Sequence, residues 1–321
     1  NLLWIIFLGN SCAGGKNDMY MWMVYDKEGL ARNTDYVALY QNICRKYDIE
    51  VEAVLDIDVK NRITGGETPV FVLVRTIHPE INRFLEESGI PVFNSYEVSR
   101  ICNDKGKTLR CLKEKVLSVP SLSFPSCELP DILSMDIPEL RALFEDKFVC
   151  SSHVEQEKKV ISQAEDFVIK AVDGHGGKQV FSMVAEKEQI RDGIGDRDFV
   201  LQPMIPDMGR SRDLRVYVIG KRIVAEVMRS SAVDFRANFS LGGEVCLYKL
   251  HEEEKNAVRT IVREFEFGMA GIDFIFDRDD QLFLNEIEDV VGARMLYRCT
   301  PDIDLVGQYV DHIVREKLHI V

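Results

Sequence analysis

The sequence predicts an α/β protein in which a small parallel sheet precedes a second unit that contains paired strands. In the first 93 residues, short apolar runs alternate with segments of helical periodicity, which is typical of a parallel sheet covered by helices. Further along, apolar runs come in pairs joined by glycine-rich or aspartate-rich turns, which is typical of antiparallel hairpins. The 321 residues are enough for two or three domains.

The N-terminal elements follow from the positions of the apolar residues. We predict strands at residues 2–8, 50–57, 69–74 and 89–93, and helices at 33–47 and 79–88. Residues 2–8 are too few to span a membrane and lack a basic leader, so we interpret them as a buried strand. Arg75 follows a predicted strand at the edge where open α/β sheets bind ligands. A surface ion pair is an equally good interpretation of this arginine.

A second unit opens at Asn94. We predict a helix over 95–116, an extended segment at 118–124 and a short helix at 138–146, and we interpret the polar run at 154–160 as a solvated face. Strands follow at 167–170, 179–184, 199–202, 213–219 and 222–229. Further helices are predicted over 251–267, ending before Gly268 with Val258, Ile261, Val262 and Phe265 facing inward, and over 302–318.

A glycine loop separates two of these strands. Lys170 ends the first strand, and the segment DGHGGK at 173–178 leads to the second. Glycines let backbone N–H groups approach a phosphate without obstruction from side chains, and we expect Gly176 or Gly177 to take a positive φ. Glycine-rich hairpin turns are common, but the lysine at the strand end favours phosphate binding. The loop lacks the GK[ST] sequence that opens a helix in a Walker motif.

Two predicted strands that carry acidic residues flank the turn at 277–280. If a four-residue turn closes this hairpin, Phe276 lies opposite Gln281 and Asp273 opposite Leu284. Glu286 is then the diagonal neighbour of Asp273, about 7 Å away, and Glu288 follows on the same face. Three carboxylates on one face repel each other unless a cation lies between them, and hard oxygen ligands suit one or two Mg²⁺ ions. The alternative is a solvated acidic rim.

Composition excludes several classes of protein. A net charge of −13 argues against wrapping nucleic acid, which requires a basic face. The eight cysteines show no spacing typical of zinc sites. Scattered thiols suit the reducing cytoplasm, so we expect a cytoplasmic protein without nucleic-acid or membrane partners.

The order of these motifs resembles the ATP-grasp ligases of the RimK type, the group of ribosomal-protein glutamate ligases and their relatives. The resemblance covers residues 70–321 and rests on NDK at 103–105, FVIKAVDGHGGKQVF at 167–181, VLQPMI at 200–205, DLRVYVIGKRIVAEVMR at 213–229, DFRANFSLGG at 234–243, AGIDFIF at 270–276 and LFLNEIE at 282–288. It implies an ATP-grasp fold, in which two α+β lobes hold ATP between them, with an N-terminal parallel α/β pre-ATP-grasp domain. The implied units are 1–93, 94–199 with the glycine loop, and 200–321 with the metal carboxylates.

The resemblance also implies which residues bind the nucleotide. Two lysines would hold the phosphates, a glycine loop would cover them, and a linker would contact adenine: these are Lys105 and Lys170; Gly174, Gly176 and Gly177; and Gln202, Pro203, Met204 and Ile205. Pro203 stands where the family usually has Glu, and it has no N–H, so adenine must use neighbouring amides. Asp207 and Asp213 are candidates for ribose or linker contacts, although a capping role fits equally well.

The remaining implied residues surround the γ-phosphate and the metal. The groups around the γ-phosphate would be Arg215, Arg229, Arg236 and Asn238, and the metal ligands Asp273, Glu286 and Glu288. Glu288 departs from the family, which usually has Asn at this position. The extra carboxylate would either bind metal more tightly or pair with Arg294.

The activity implied is an ATP-dependent carboxylate–amine ligase that uses ATP with Mg²⁺ or Mn²⁺. A substrate carboxylate would attack the γ-phosphoryl group, an amine would attack the resulting acylphosphate, and ADP and phosphate would be released. Amino acids or peptides are the family's usual substrates. The alternatives are an ATP-grasp phosphotransferase and a non-catalytic nucleotide-binding sensor or scaffold. The oligomeric state stays open, with a homo-oligomer as one option.

Overall fold

A computed structural model describes residues 19–177, 179–205, 211–231 and 244–320. The predicted strand at 2–8 lies outside these ranges. The strands are β1 (Met19–Tyr25), β2 (Ile49–Leu55), β3 (Val72–Val74), β4 (Val92–Phe93), β5 (Leu122–Phe124), β6 (Phe167–Ala171), β7 (Val180–Ser182), β8 (Phe199–Pro203), β9 (Ser211–Ile219), β10 (Arg222–Ser231), β11 (Glu244–Leu247), β12 (Met269–Phe276) and β13 (Leu282–Glu288).

Helices cover these strands and connect them. They are α1 (Lys27–Arg32), α2 (Thr34–Cys44), α3 (Val59–Thr64), α4 (Pro79–Glu87), α5 (Tyr96–Cys102), α6 (Lys105–Leu112), α7 (Leu129–Ser134), α8 (Ile137–Lys147), α9 (Val154–Gln163), α10 (Lys187–Ile194), α11 (Glu252–Glu264), α12 (Arg294–Cys299) and α13 (Leu305–Asp311). A π-helical segment, His312–Lys317, continues α13. Within the described ranges, no helix is both long and apolar enough to cross a membrane.

The N-terminal sheet is parallel, as the alternation of strands and helices predicts. Its order is β2-β1-β3-β4, and Trp22 of β1 lies opposite Glu52 on one side and Val72 on the other. The sequence prediction omitted β1 although it is a central strand. Its run MYMWMVY is apolar throughout because both faces are buried. Such a run shows no period of two, so periodicity cannot identify it as a strand.

The middle sheet has the order β5-β8-β6-β7, and its pairings are antiparallel. The predicted hairpin around the glycine loop is confirmed, since β6 pairs with β7. The interpretation of 154–160 as a solvated face holds for five of the seven residues, which are exposed, but not for Glu157 and Val160. These residues begin α9, in which Val160 and Ile161 join the core and Glu157 is buried. The buried Glu157 carboxylate accepts hydrogen bonds from Ser151 N and Oγ at 2.8 and 2.7 Å, which compensates for its burial.

The single helix predicted over 95–116 is also wrong, because the chain breaks between α5 and α6. The Asp104 carboxylate accepts from the Lys107 N–H at 2.9 Å and begins a new helix. Asp favours such N-cap positions because its side chain replaces a missing helical acceptor. The break makes Lys105 the first residue of α6, and the Lys105 N–H donates to Val172 O at 3.0 Å, which brings α6 to the end of β6.

The large sheet, β11-β10-β9-β12-β13, carries buried side chains on both faces. One face packs against α5, α6 and α11, and the predicted inward residues Val258, Ile261, Val262 and Phe265 are all buried there. Helix α11 ends at Glu264 rather than at Gly268, since Phe265 is already extended. The other face shares a core with α2, α12, α13 and the N-terminal sheet. The sheet is therefore interior to the protein.

Two contacts hold the sheets together near the acidic hairpin. The segment before β5 lies along β13, with Val119 N donating to Leu284 O at 2.9 Å and Leu284 N donating to Leu117 O at 2.9 Å. The buried Asn94 side chain donates to the carbonyls of Met269 and Asp289, both at 2.9 Å, and accepts from Gly268 N at 2.6 Å. Asn94 therefore joins the end of the N-terminal sheet to both strands of the hairpin.

The division into 1–93, 94–199 and 200–321 stays a prediction. The second boundary falls inside β8, whose pairings are with β5 and β6 of the middle sheet.

We predict that Asn94→Ala lowers the free energy of unfolding by about 2–4 kcal/mol, because three buried backbone groups lose their partner. Urea denaturation followed by circular dichroism measures the change. Asn42→Ala is the matched control, since the exposed Asn42 side chain accepts a hydrogen bond from Arg45 at the surface, and it should change the value by less than about 0.5 kcal/mol. Equal stabilities of Asn94→Ala and wild type would contradict the role of Asn94 as a connector.

Candidate active site

The acidic hairpin folds in a register different from the predicted one. Phe276 lies opposite Leu282, and Phe274 opposite Leu284, so the loop has three residues, 278–280. The Asp277 carboxylate explains this loop, since it accepts from Asp279 N and Gln281 N at 2.9 and 2.8 Å. Asp280 takes the left-handed conformation, with φ 59°, which is common in three-residue hairpin loops.

A β-bulge then shifts the register a second time. Past Phe274 and Leu284, Asp273 lies directly opposite Glu286, and Asn285 is the extra residue of the bulge. The predicted diagonal relation of Asp273 and Glu286 is therefore wrong, and the two carboxylates come closer than expected. Oxygen atoms of Asp273, Glu286 and Glu288 all lie within 4.8 Å of one another. The predicted convergence of three carboxylates is confirmed.

Arginines from the neighbouring strands neutralise these carboxylates. Arg215 lies opposite Asp273 in the β9–β12 pairing and donates to it twice, from Nε at 2.7 Å and from Nη2 at 2.6 Å. The Nη1 atom of Arg215 lies 2.9 Å from Glu288 Oε2. Arg229 of β10 donates to Asp273 at 2.9 Å and also pairs with Asp213. Such forked pairs fix both partners in direction as well as distance.

Gly271 makes room for this arrangement. A Cβ atom at residue 271 would lie 2.8 Å from the Val291 side chain and 3.2 Å from Arg215 Nε. A larger residue would displace Arg215 from the carboxylates. The sequence shows glycine here without indicating why.

The pKa values follow the positions of the arginines. Burial would raise the pKa of Asp273, but Arg215 and Arg229 outweigh it and lower the pKa to about 2. Burial raises the pKa of Asp213 to about 6 against the opposing effect of Arg229. Burial likewise raises the pKa of Glu288, although Arg215 opposes the change. Asp273 is thus the carboxylate that holds its charge most firmly.

Two lysines approach the same cluster from the middle sheet and α6. Lys105 Nζ lies 3.0 Å from Glu286 Oε2 and donates to the Gly174 carbonyl. Lys170 Nζ donates to Asn285 Oδ1 at 2.7 Å. Burial lowers the pKa of Lys170 to about 8, with Glu286 opposing the shift and Lys105 adding to it. The two lysines therefore lie beside the acidic hairpin, although 65 residues separate them along the chain.

The glycine loop contacts the first of these lysines, since Lys105 donates to the Gly174 carbonyl. Gly176 and Gly177 have φ values of 65° and 75°, as expected for at least one of them. Nothing lies within 4 Å of the position where a Cβ of Gly176 would be, so conformation rather than space calls for glycine there. Burial lowers the pKa of His175 in this loop. The imidazole is therefore neutral at pH 7.

The predicted adenine linker forms the end of β8 and the residues after it. Gln202 is buried and donates to Ser121 Oγ at 2.7 Å. The Met204 N–H donates to Asp166 O at 2.9 Å, so one amide next to Pro203 is already used. Ile205 packs with Val119 and Phe283. The linker thus lies against the hairpin strand that carries the acidic residues.

The remaining residues of the predicted site either lie outside the described ranges or have partners other than those expected. Arg236, Asn238 and Asp207 lie outside the described residues. The proposed pairing of Glu288 with Arg294 is wrong, because the β9–β12 register brings Arg215 to Glu288 instead. Arg75 is not a surface ion pair, since it donates to the carbonyls of Val290 and Val291.

Sequence reasoning missed Asn285 as the partner of Lys170. Its signal was a polar residue next to two acidic ones in an otherwise apolar strand, but only the bulge turns Asn285 toward the lysine.

Comparisons with known proteins identify the family. The model of the RimK-like ATP-grasp domain matches residues 134–313, more than half of the chain, and the chain belongs to this family of ATP-dependent ligases. Uncharacterized protein MG011 of Mycoplasma genitalium is 25% identical over 290 residues, covering 88% of each chain. A probable alpha-L-glutamate ligase of Parasynechococcus marenigrum is 25% identical over 243 residues, covering 74% of this chain but 46% of that protein.

Solved structures share the fold. D-alanine–D-alanine ligase from Bacillus anthracis superposes with a TM-score of 0.62 at 13% identity, covering 94% of this chain and 98% of the other. Similarity at this level of identity shows that the ATP-grasp fold is common to both. The predicted fold class, an α/β protein with an N-terminal parallel sheet before two ATP-grasp lobes, is confirmed.

Asp289, directly after the acidic strand, yields a prediction about stability. Burial raises its pKa to about 7, and its Oδ1 atom has no hydrogen-bond partner in the described ranges. The unfolded chain ionises near pH 3.9, so the folded state holds an extra proton between about pH 4 and 7 and loses stability as pH rises through that window. Asp289→Asn should remove this loss, since Asn stays neutral and the unpaired Asn103 Oδ1 can accept from it.

We therefore expect Asp289→Asn to exceed wild type in free energy of unfolding at pH 8, by at most about 4 kcal/mol, and to match it near pH 4. Urea denaturation at both pH values measures the difference. The exposed Asp302→Asn is the control and should follow wild type at each pH. An Asp289→Asn protein less stable than wild type at pH 8 would show that the ionised carboxylate is stabilising.

Proposed function

We propose that the protein is an ATP-dependent carboxylate–amine ligase. A substrate carboxylate attacks the γ-phosphoryl group of ATP, forming an acylphosphate and ADP. An amine then attacks the acyl carbon, forms the C–N bond and expels phosphate. The observation that carries the proposal is the cluster of Asp273, Glu286 and Glu288 surrounded by buried arginines and lysines, in a chain of the RimK-like family.

The cluster is chemically suited to a divalent metal ion. Its oxygen atoms lie within 4.8 Å of one another, and Mg²⁺ prefers carboxylate oxygens and shared substrate phosphates. A bound Mg²⁺ or Mn²⁺ would neutralise the two anions that must meet in the first step. We assign Asp273, Glu286 and Glu288 to hold it.

The surrounding cations would complete the electrostatic catalysis. We assign Arg215 and Arg229, with Arg236 and Asn238, to the transferred phosphoryl group, where charge develops. Lys105 and Lys170 would hold the preceding phosphates, with Gly174, Gly176 and Gly177 covering them. This chemistry needs no nucleophile on the protein, because the substrates supply both attacking groups and the protein positions them.

The remaining nucleotide contacts follow from the linker and the neighbouring strand. We assign Gln202, Pro203, Met204 and Ile205 to the adenine. Pro203 contributes its carbonyl oxygen, and the Met204 amide must leave Asp166 if it is to donate to the ring. Asp213 is paired with Arg229, which supports a role in orienting that arginine more than a contact with ribose.

We propose amino acids or peptides as substrates. The support is the relative named as a probable alpha-L-glutamate ligase. The test is ADP release by the purified chain with Mg²⁺, ATP and mixtures of amino acids and short peptides, with products identified by mass. We expect ADP only when an acid and an amine are both present, and a product lighter by one water than their sum. ADP with the acid alone and a stable phosphorylated product would indicate a phosphotransferase instead.

A prediction about Lys170 tests the nucleotide site. Lys170→Met should weaken ATP binding by about 30-fold or more, since a charge-assisted phosphate contact is worth about 2 kcal/mol. Because the pKa of Lys170 is lowered to about 8, wild type should bind ATP fully below pH 8 and lose affinity above it, whereas Lys170→Met should lose this pH dependence. Calorimetry between pH 7 and 9.5 measures both. Lys187→Met, at an exposed position, is the control. ATP affinity of Lys170→Met equal to wild type would contradict the assignment.

A prediction about Glu288 tests the metal site. Asp273→Asn and Glu286→Gln should each abolish Mg²⁺-dependent ADP release, because each removes a charge from the ion's ligands. Glu288→Asn restores the residue usual in the family, so activity should persist with a higher Mg²⁺ requirement, since affinity follows ligand charge. Without metal, this variant should melt at a higher temperature, because the raised pKa of Glu288 means that its ionised form costs stability.

Titrating Mg²⁺ against ADP release in wild type and Glu288→Asn measures the effect. Loss of activity at saturating Mg²⁺ would give Glu288 a role beyond ligation, such as a base for the incoming amine. An unchanged Mg²⁺ curve would restrict Glu288 to its ion pair with Arg215.

A further inference from the structure

A second group of polar side chains lies on the N-terminal sheet, apart from the acidic hairpin. Tyr25 is the last residue of β1, and Arg75 follows β3, with its N–H donating to Val24 O at 2.8 Å. Tyr36 and Tyr40 lie four residues apart on α2, and their rings meet edge to face at 5.2 Å. We call these four residues the Arg75 cluster.

The cluster occupies a special position in the sheet. In the order β2-β1-β3-β4 the chain moves from β1 to one side and then returns to the other. The gap between the carboxyl ends of β1 and β3 is therefore the topological switch point, where open α/β sheets form a crevice that binds ligands. Tyr25 and Arg75 lie at the ends of those two strands.

Polar atoms of the cluster are buried without well-formed hydrogen bonds. No hydrogen bond of good geometry satisfies the hydroxyl groups of Tyr25, Tyr36 and Tyr40 or the Nε atom of Arg75 within the described ranges, although Tyr25 lies beside Arg75 and Tyr36 beside Tyr40. Each such group costs about 1–3 kcal/mol if it stays unpaired. Native proteins leave few buried polar atoms in this state. Four of them in one place indicate that a ligand supplies the missing acceptors.

The charge of the Arg75 cluster indicates what kind of ligand it binds. No carboxylate forms an ion pair with Arg75 in the described part of the chain. Its Nη atoms donate to the Val290 and Val291 carbonyls at 3.1–3.4 Å, and its guanidinium carbon lies 5.2 Å from the centre of the Tyr36 ring. These contacts hold the guanidinium in place without cancelling its charge. Burial raises the pKa values of Tyr25 and Tyr40, which keeps both hydroxyls as neutral donors.

A site with one positive charge and several donors suits an anion, and the planar guanidinium group matches the two oxygens of a carboxylate. The connection to the acidic hairpin is short. Val291 contacts the position of Gly271 beside Arg215, and the three residues from Glu288 to Val291 span at most about 10 Å. That length is the most that three extended amino-acid residues of a substrate can span.

We propose that the Arg75 cluster binds a carboxylate of an amino-acid or peptide substrate that does not react, while the reacting groups lie at the acidic hairpin. This inference rests on the proposed ligase function and specifies its substrate as one that carries a free carboxylate at this distance. The Arg75 cluster thereby selects free acids over the corresponding amides.

The test compares free acids with their amides. A panel of L-amino acids and dipeptides, each as the free acid and as the C-terminal amide, is titrated into the full chain with Mg²⁺ and a non-hydrolysable ATP analogue. Binding is measured by calorimetry. In wild type we expect at least one free acid to bind tenfold or more tightly than its amide. In Arg75→Met the acid should bind no better than the amide, and Arg75→Lys should retain part of the preference.

Tyr40→Phe separates this proposal from a purely structural role. Removing an unpaired buried hydroxyl should raise the melting temperature without ligand, yet weaken binding of the acid three- to tenfold and leave the amide unchanged. Tyr47→Phe is the matched control, because its hydroxyl donates to Asp311 at 2.9 Å. It should lower the melting temperature and leave the acid-to-amide ratio as in wild type.

The proposal is overturned if no acid on the panel binds better than its amide, or if the ratio is the same in wild type, Arg75→Met and Tyr40→Phe. Failure of the ligase function gives a different result, since ADP release would then be absent for every acid and amine pair. The binding ratio does not depend on turnover, so the two failures can be told apart.

Discussion

The carboxylate of Asp273, held between Arg215 and Arg229, is the interaction on which the rest of the structure depends. The three side chains come from adjacent strands of the large sheet, so the ion pairs form only in one register of β10, β9 and β12. Each charge is buried, and removing one partner would leave an unpaired charge that costs about 3–5 kcal/mol. The register of the central sheet and the geometry of the candidate active site are therefore fixed by the same contacts.

Among the described residues, four carboxylates and four cations meet around this point: Asp213, Asp273, Glu286 and Glu288 with Arg215, Arg229, Lys105 and Lys170. Equal numbers allow the cluster to be buried in a chain whose net charge is −13. The carboxylates do not contact the cations equally. Asp273 contacts both Arg215 and Arg229, which hold its pKa near 2, whereas burial raises the pKa of Asp213 to about 6 against the effect of Arg229. A metal ion and an anionic nucleotide would add charge of both signs and so would preserve this balance.

The short segment after β13 connects the large sheet to the N-terminal sheet. Asp289 O accepts from Asn94, Val290 and Val291 accept from Arg75, and Gly292 O lies 3.3 Å from the Tyr217 hydroxyl. The N-terminal sheet thus holds the end of the acidic strand directly. A substrate group bound at the Arg75 cluster would lie against the same segment, which gives the N-terminal unit a reason to take part in choosing the substrate.

The sequence by itself determined the family, the order of the elements and most of the charged residues that meet at the hairpin. These features depend on local periodicity and on short motifs, which can be recognised in the sequence without knowing how the elements pack. Tertiary structure decided what local patterns do not contain. The β13 bulge placed Glu286 opposite Asp273 and turned Asn285 toward Lys170. The N-cap at Asp104 divided a predicted helix into two. Strand β1 is buried on both faces, so its sequence lacks the alternation of apolar and polar residues that would have identified it. Arg75 shows the difference most directly, because its sequence context indicated only its place at the end of a strand, whereas the carbonyls that hold its guanidinium group belong to residues more than 200 positions away.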